Sequence, residues 1–509
     1  MSKVIKGIVT GIIIGIAAYA TGGATLFYQV AAGVGYSGAS ALTAAVIGGA
    51  IVGGSMGVAQ SFIKAPVIPR LGTTFSRLRL SVDATALGKW CFGETALATD
   101  IIYAQTHNAL NTSYIVAAAA HLIDSYGELY MNDELISFDE ESATGAWDNT
   151  LWRQTNLGTE SQTSFGDIGG GDLWEWPDTA EGKGHAHYRL QFLIGQPKTA
   201  KGVPISRITQ IAKCAPVYDP RLDTTVGGSG SHRADDQTTW EYSNDGNDIG
   251  KNWALVCGFY LLGWKNNSKL VFGMGIDPND IDYDQMISAA NVCDETVDGI
   301  NRFMISGIME TSNEHDPVLT ALEDSINGKI ATVGGKYFIW APEDDLTSPF
   351  SSITDNGEMI AEMGVEFTPA GPMENLYNTA RGRYVSPSDL YQMVPYPEVV
   401  EDDAVSEDGK ERLLELDMPF IQDVSIAERI ARQAIRRTRF PATWRFATGP
   451  SGLRFRPFTV TTLNCKETNN EDETVRVVSQ EFAGNGIILF EVVEEDSSIY
   501  DTSIALGTP

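Results

Sequence analysis

The stretch from Gly7 to Ile63 contains no Asp, Glu, Lys or Arg, and this constrains the fold more than any other feature. Two apolar runs, Ile8–Ala20 and Ala41–Phe62, are joined by a Gly-rich middle. Glycines recur at every fourth position, at Gly7, Gly11 and Gly15 and again at Gly49, Gly53 and Gly57. Small residues at this spacing share one helical face and allow two backbones to approach closely. The pattern predicts a hydrophobic, Gly/Ala-rich helical hairpin within residues 1–66.

The sequence leaves open where this segment lies. Its second apolar run is about long enough to span a bilayer, whereas the first is short for that role. No cleavage site precedes a polar mature region, so the segment is not a secretory signal. A membrane-inserting segment and a buried plug or trimer core both satisfy the backbone and hide the apolar surface. We keep both hypotheses for residues 1–66.

Charge is distributed unevenly along the 509 residues. The formal net charge is −30 at pH 7, yet six basic residues precede the first acidic one, Asp83. An acidic body repels phosphate, because nucleic-acid affinity comes mainly from Lys and Arg that displace counterions. Tight DNA binding is therefore disfavoured, whereas DNA sliding past an acidic wall is physically reasonable. The length predicts three or four domains.

The cysteines give no sign of a disulfide framework or a metal site. There are five, Cys91, Cys214, Cys257, Cys293 and Cys465. Their odd number and the absence of CxxC spacing argue against a disulfide framework and against a zinc site. Buried free thiols are the simplest interpretation and fit assembly in a reducing cytoplasm. We predict no cofactor.

Short alternating runs rich in β-branched and aromatic residues predict a β-rich domain over residues 67–217. Strands are expected at Ile101–Tyr103, Tyr114–Ala118, Gly127–Met131 and His187–Leu193. A polar, Gly-rich stretch with four tryptophans lies near residues 139–186. We interpret that stretch as an insertion in the domain.

Residues 218–345 predict an α+β unit. Apolar residues at helical spacing indicate a helix from Asp282 to Met304 and a second one over Pro317–Ile326. Lys329–Val333 and Lys336–Trp340 are separated by two glycines and predict a β-hairpin.

Residues 346–509 predict a return to strands with one basic helix. Glu398–Asp408 is acidic and is interpreted as a solvated linker. Ser425 and Glu428 form a capping-box pattern before a helix that continues to about Thr438. A basic cluster starts in this helix and comprises Arg429, Arg432, Arg436, Arg437, Arg439, Arg445, Arg454 and Arg456. In so acidic a chain, pairing with carboxylates of neighbouring domains or subunits is favoured over nucleic-acid binding.

Several phrases of the body carry a resemblance to a known family. They are Val217-Tyr218-Asp219-Pro220-Arg221 followed by Trp240, then Ala289-Ala290-Asn291-Val292-Cys293-Asp294, the Lys329–Trp340 hairpin, Arg381-Gly382-Arg383 and Leu416–Ile421. In this order they resemble the central tail hub family of lambda-like long-tailed bacteriophages, the tip attachment protein J family. The resemblance covers about half of the chain, roughly residues 200–460.

The resemblance implies both a fold and a role. The fold class is multidomain α+β and β-rich, with tail-hub β-barrel domains, an α+β domain and the N-terminal hydrophobic helical segment. The role is a structural virion protein, a homotrimeric hub that joins the tail tube to the tip, closes the channel and takes part in genome ejection. Implied partners are the distal tail ring, the tape measure and the tip fibres, while DNA passes through the lumen without specific binding. Host membrane contact through residues 1–66 does not come from the resemblance and stays one of the two hypotheses for the apolar segment.

Two alternative functions are a membrane-inserting ejection protein and a cell-wall hydrolase of the tail tip. For a hydrolase, His185 and His187 with Glu181 offer few metal ligands, and pairs such as Asp219 and Asp223 carry no glycosidase signal. The Gly227–His232 run lacks the lysine of a phosphate loop and is interpreted as a flexible loop. The one Gly-x-Ser-x-Gly match, at Gly53–Gly57, lies in the apolar segment and not at a strand-to-helix turn. We therefore predict no catalytic residues.

Overall fold

The computed structural model describes residues 80–82, 88–107, 111–168, 176–193, 207–355, 357–360, 363–371, 375–484 and 486–501. The helical hairpin predicted for residues 1–66, with its six spaced glycines, lies outside these residues and stays a prediction. Within the part of the chain that is described, no helix is both long enough and apolar enough to cross a membrane.

The N-terminal part of the described chain is built from strands. They are β1 (Leu80–Val82), β2 (Lys89–Phe92), β3 (Glu94–Leu97), β4 (Thr99–His107), β5 (Asn111–Ala119), β6 (Ser125–Met131), β7 (Glu134–Ile136), β8 (Phe138–Asp139), β9 (Ser142–Ala143), β10 (Leu151–Leu157), β11 (Ala186–Leu193) and β12 (Ile208–Lys213). One sheet has the order β1-β4-β5-β11-β10-β9-β8, and a second has the order β3-β12-β6-β7. The two sheets share an apolar core that includes Leu129 and Tyr188. All four predicted strands are confirmed, within β4, β5, β6 and β11.

Part of the stretch interpreted as an insertion belongs to the large sheet. β10 pairs with β11 along its whole length, from Leu151 opposite Phe192 to Leu157 opposite Ala186. Most of its side chains are only half-buried, so polar residues are tolerated and the apolar alternation of a strand is weak. The domain boundaries at residues 66, 217 and 345 stay predictions.

A buried helix lies at the centre of the next part. The elements are α1 (Trp253–Leu262), β13 (Trp264–Asn266), β14 (Lys269–Phe272), α2 (Tyr283–Asp294), β15 (Thr296–Val297), β16 (Ile300–Asn301), β17 (Gly307–Glu310), α3 (His315–Ile326), β18 (Lys329–Val333) and β19 (Lys336–Trp340). All ten residues of α1 are buried, as expected for a helix that is apolar on every face. The Asn252 side chain caps α1 by accepting hydrogen bonds from the backbone N–H groups of Ala254 and Leu255.

The helix predicted from Asp282 to Met304 is shorter than its apolar spacing indicated. α2 ends at Asp294, and the chain then forms the hairpin of β15 and β16. Its turn residues, Asp298 and Gly299, have φ values of 54° and 85°. Asp-Gly is typical of a two-residue hairpin turn, and this local preference overrides the helical spacing of the apolar residues.

Two predictions for this part are confirmed. α3 covers the second predicted helix and begins two residues earlier, at His315. β18 and β19 form the predicted hairpin. Its turn residues Gly334 and Gly335 have φ values of 58° and 86°, which glycine adopts without the steric cost of a side chain.

The C-terminal part contains a six-stranded sheet in the order β20-β28-β29-β30-β27-β21 and two smaller sheets, β25-β22-β26 and β23-β24. The elements are β20 (Ser352–Thr354), β21 (Val365–Thr368), β22 (Thr379–Arg381), β23 (Arg383–Ser386), β24 (Gln392–Pro395), β25 (Val399–Val400), α4 (Asp402–Asp408), β26 (Leu413–Glu415), α5 (Val424–Arg437), β27 (Thr443–Thr448), β28 (Val460–Cys465), β29 (Asn470–Gly484) and β30 (Ile487–Glu494).

Two local predictions in this part are corrected. The segment interpreted as an acidic linker contains the helix α4. Gly409, the residue that follows α4, adopts a left-handed backbone conformation and ends the helix. The basic helix α5 is capped by Asp423 and not by Ser425, because the Asp423 carboxylate accepts hydrogen bonds from the backbone N–H groups of Ser425 and Ile426.

Long-range pairings tie these parts together. β2 pairs antiparallel with β17, so that Phe92 lies opposite Gly307. The Gln422 side chain donates a hydrogen bond to the Glu94 carbonyl at 2.9 Å. The described chain is thus a β-rich α+β fold with five helices and a half-barrel sheet.

Candidate functional site: the arginine–carboxylate networks

The residues of the Val217–Arg221 phrase meet those of the α2 phrase. Arg221 donates to Asp219 Oδ2 through Nη2 at 2.8 Å and to Asp294 Oδ2 through Nη1 at 2.8 Å. The same Nη1 donates to Asn291 Oδ1 at 3.1 Å. Two pairs of residues that lie about 70 positions apart in the chain therefore form one cluster. We call this cluster the signature network (Asp219, Arg221, Asn291 and Asp294).

The signature network also holds the start of α1. The Asn252 side-chain amide donates to the Ala290 carbonyl and to Asp294 Oδ1, both at 2.9 Å. Burial alone would lower the pKa of Arg221, but the carboxylates of Asp219 and Asp294 outweigh burial and raise it. The guanidinium stays charged and links a turn to two helices, so the network positions elements and exposes no reactive group.

The other residues of the two phrases are part of the core. The Tyr218 hydroxyl donates to Asp223 Oδ2 at 2.8 Å, and burial raises the pKa of this tyrosine. Trp240 is buried against Phe259 and donates through Nε1 to the Arg233 carbonyl at 2.8 Å. Val217, Pro220, Ala289 and Ala290 are buried as well.

The Gly227–His232 run is held in place and is not a free loop. Backbone N–H groups of Gly228, Ser229 and His232 donate to the carbonyls of Asp223, Arg221 and Leu222. His232 Nδ1 accepts a hydrogen bond from the Asp219 N–H at 3.1 Å. A side chain at Gly228 would collide with the Pro220 and Arg221 carbonyls, which explains why a glycine suits this position.

The Arg381–Arg383 phrase lies in a different place from the signature network. Arg381 pairs with Glu398 at 2.6 Å, and Arg383 pairs with Asp417 at 2.6 Å, with all four side chains well exposed. Gly382 packs directly against the Leu416 carbonyl, where a β-carbon would collide. The phrase therefore joins β22 and β23 to the segment around Leu416.

The predicted pairing of the basic cluster with carboxylates occurs within the chain. Arg436 pairs with Glu401 at 3.1 Å, and Arg439 pairs with Glu407 and Asp408 at 2.7 and 2.9 Å. The segment around α4 thus supplies carboxylates to the end of α5. Further pairs are Arg445 with Glu491, Arg454 with Glu358, Arg437 with Glu495 and, at 3.8 Å, Arg432 with Glu401.

A second network, centred on Arg476 and Glu495, whose side chains have no exposed surface, was not predicted from the sequence. Arg476 on β29 pairs with Glu495 at 2.7 Å and with Asp345 at 2.6 Å, and Glu495 also pairs with Arg437. Burial alone would lower the pKa of Arg476, yet the surrounding negative charges raise it well above its ordinary value. We call Arg437, Arg476, Glu495 and Asp345 the buried network. A lone arginine between valines was its only sequence signal.

The groups considered for catalysis do not form a reactive site. His187 Nδ1 lies 2.9 Å from the His185 carbonyl, burial lowers the pKa of His187, and Glu181 pairs with Lys183. The carboxylates of Asp219 and Asp223 are already bound by Arg221 and Arg233. In the described part of the chain, no group of three His, Cys, Asp or Glu side chains is arranged to hold a metal ion. The Gly53–Gly57 match lies outside the described residues.

The cysteine prediction is confirmed, since all five thiols are buried and free. Two of them, Cys91 and Cys214, lie close together at the edge of the N-terminal core. A hydrogen bond with Cys214 lowers the pKa of Cys91 to about 6. Both residues have no exposed surface, so a substrate does not reach this pair in the folded chain.

The comparison with protein families concerns residues 318–479. This segment, 162 of the 509 residues, matches the family described as "Putative phage tail protein". The search of curated proteins found no match to the chain.

The comparison with solved structures shows a common fold with a virion chain over most of its length. A chain from the virion of a native gene transfer agent particle has a TM-score of 0.59 at 16% identity, covering 91% of this chain and 98% of that one. A tail protein of Neisseria meningitidis MC58 has a TM-score of 0.28 at 9% identity, covering 81% and 94%. The 43 kDa tail protein of prophage MuSo2 of Shewanella oneidensis has 0.28 at 10%, covering 82% and 96%. The first likeness shows a common fold, and the other two are too weak to support an argument.

Proposed function

We propose that this chain forms the homotrimeric central hub of a phage-like tail tip. The observation that carries the proposal is the match of residues 318–479 to phage tail protein sequence, within a fold that a gene transfer agent virion chain shares over 98% of its length. The ordered phrases from Val217 to Ile421 add the hub assignment, because in this order they resemble the central tail hub family. As a hub, the chain joins the tail tube to the tip and closes the channel until ejection.

The charge distribution supports a passage for DNA without binding. Six of the eight arginines in the basic cluster have a carboxylate of the same chain within 4.0 Å. They are therefore largely neutralised and are not free to displace counterions from phosphate. With a formal net charge of −30, the body presents a mainly acidic surface along which DNA slides.

Proposed partners follow from the hub role and are the distal tail ring, the tape measure and the tip fibres. The signature network holds α1 against α2, and the buried network holds the end of α5 against the six-stranded sheet. Such internal stiffness suits a protein that must keep a closed ring under load from its neighbours. Residues 1–66 are proposed to plug the channel or to contact the host membrane.

The test is the oligomeric state of the full chain, purified in a mild detergent. Mass photometry should show a species of three times 55.1 kDa, about 165 kDa, and electron microscopy should show a ring with a central channel. The chain without residues 1–66 is the matched control for assembly driven only by the apolar segment. A monomer at every concentration, with no ring, would contradict the hub. Clearing of peptidoglycan in a gel by the purified body would instead support a tail-tip hydrolase.

A further inference from the structure

A small cavity lies between α5, the β15–β16 hairpin and the last described residues of the chain. Its lining includes Asp298, Arg302, Arg429, Arg432, Tyr500 and Asp501, and its volume is about 20 Å³. A cavity needs about 10–15 Å³ to hold one water molecule. The space therefore accepts one small polar group and is too small for a nucleotide or a sugar.

Arg429 is buried beside this cavity, and no carboxylate of the described residues forms an ion pair with it. Its side chain is 8% exposed, and Nη2 donates to the Arg302 carbonyl at 3.3 Å. Its Nε and Nη1 find no acceptor among the described residues. Burial and the positive charge of Arg302 lower the pKa of Arg429. A buried guanidinium whose N–H donors have no acceptor destabilises the folded chain. An anion that accepts those hydrogen bonds stabilises it.

The neighbouring arginines bring more donors to the same space. Within the described part of the chain, Nε of Arg302 and Nε of Arg432 also have no hydrogen-bond acceptor. Arg432 approaches Glu401 only at 3.8 Å, and Glu401 accepts a closer contact from Arg436 at 3.1 Å. Arg302 pairs with Glu295 at 2.7 Å through Nη2, so these two arginines add donors to the cavity but are already paired with carboxylates.

The charge of the lining limits the charge of an anion that the cavity can bind. The lining holds three arginines and two carboxylates, Asp298 and Asp501. Glu295 and Glu401 pair with Arg302 and Arg432, so the positive charge that remains in excess is that of Arg429. A singly charged carboxylate matches this excess, whereas a doubly charged phosphate exceeds it and needs more room. Guanidinium groups also match the planar carboxylate with two parallel hydrogen bonds.

We propose that this cavity binds one carboxylate group, contributed by an Asp or Glu side chain of a second copy of this chain. The chain carries 66 acidic and 36 basic residues, so a neighbouring copy offers carboxylates in excess. The origin of the carboxylate rests on the proposed trimer, while the anion site itself does not. A free small carboxylate from solution has the same chemistry and is the competing source.

The first experiment tests the site and uses acetate as the probe. Thermal unfolding of the monomeric full chain is followed while acetate replaces chloride at constant ionic strength. The melting temperature should rise by roughly 1–2 °C and saturate, because acetate binds only the folded state. Arg429→Met should abolish the rise, and Arg429→Lys should reduce it. Arg456→Met, which removes the same charge from an exposed position, should keep it.

Methionine at position 429 fits an apolar environment, so the variant should fold as well as the unchanged protein, which circular dichroism checks. An equal rise in Arg429→Met, or no rise in the unchanged monomer, would overturn the site. The second experiment repeats the titration on the trimer. There the cavity is already filled, and acetate should have no effect. A rise in the trimer equal to that in the monomer would overturn the second copy as the source. If no trimer forms, the hub proposal fails while the monomer titration still decides the site.

Discussion

Two arginine–carboxylate networks in this chain use the same chemistry in different solvent environments. In the buried network, the side chains of Arg476 and Glu495 are 0% exposed. In the signature network, Arg221 and Asp294 are 23% and 33% exposed. Water replaces a lost partner in the second network but not in the first. Stability should therefore depend more on the buried network than on the signature network, although only the signature network is recognisable in the sequence.

The largest effect is expected for Glu495→Gln. It removes the carboxylate that lies between Arg437 and Arg476 and leaves Asp345 as the carboxylate bound to Arg476. The Arg476 and Glu495 side chains have no exposed surface, so water does not replace the lost charge. The free energy of unfolding should fall by about 3–5 kcal/mol, measured by chemical denaturation. Glu366→Gln, which removes an exposed partner of Arg445, is the matched control and should cost about 1 kcal/mol or less. Equal losses for the two variants would remove the distinction between buried and exposed networks.

A smaller effect is expected for Asp294→Asn. The variant keeps a hydrogen-bond acceptor near Asn252 but removes one charge that pairs with Arg221. The loss should be about 1–2 kcal/mol and should shrink at high salt, because this network is partly solvated. Asp284→Asn on the exposed face of the same helix is the control. A loss as large as that of Glu495→Gln, or one insensitive to salt, would show that the signature network is effectively buried.

Glu343, which lies next to the buried network in the chain, predicts a pH dependence of the free energy of unfolding. Burial, reinforced by the charge of Asp345, raises the pKa of Glu343 to about 7. Because the folded pKa lies above the unfolded one, its stabilising contribution is complete below about pH 4.5 and is lost as the pH rises through 7. The partly exposed side chain limits the loss to about 1 kcal/mol. Unfolding curves of Glu343→Gln should lack this pH dependence. An unchanged dependence would assign it to another group.

The smallest effect is expected for Arg383→Met in the exposed Arg381–Arg383 phrase. The Arg383 and Asp417 side chains are 52% and 40% exposed, so water solvates either one when the other is absent. The free energy of unfolding should change by about 0.5 kcal/mol or less. A loss above about 2 kcal/mol would indicate a packing role for the arginine side chain that its exposure does not explain.

Local sequence signals predicted the elements that local forces decide. The hairpin at Lys329–Trp340 was found because two glycines fix its turn, and α3 was found from its proline and apolar spacing. The helix from Asp282 was overextended because an Asp-Gly turn competes with apolar spacing. α4 was missed because the carboxylates of its segment are stabilised by arginines such as Arg439, which lie about 30 positions further on.

The candidate sites divide in the same way. Asp219, Arg221, Asn291 and Asp294 were singled out by resemblance, and only the structure shows that they bind one another. The buried network and the Arg429 cavity depend on contacts between residues that lie from 19 to 131 positions apart in the chain. No pattern of spacing connects such residues, so burial of an arginine was not predictable from its neighbours in sequence.

The pairing of β2 with β17 has a consequence for synthesis of the chain. Phe92 lies opposite Gly307, which emerges from the ribosome 215 residues later (307 − 92). At about 5–20 residues per second, this corresponds to a wait of roughly 10–40 s. During that time the edge of β2 is unprotected, and nascent chains on one message are exposed to mispairing. Slow translation lengthens this wait and should lower the yield of native protein. A chaperone that covers the edge of β2 should raise the yield.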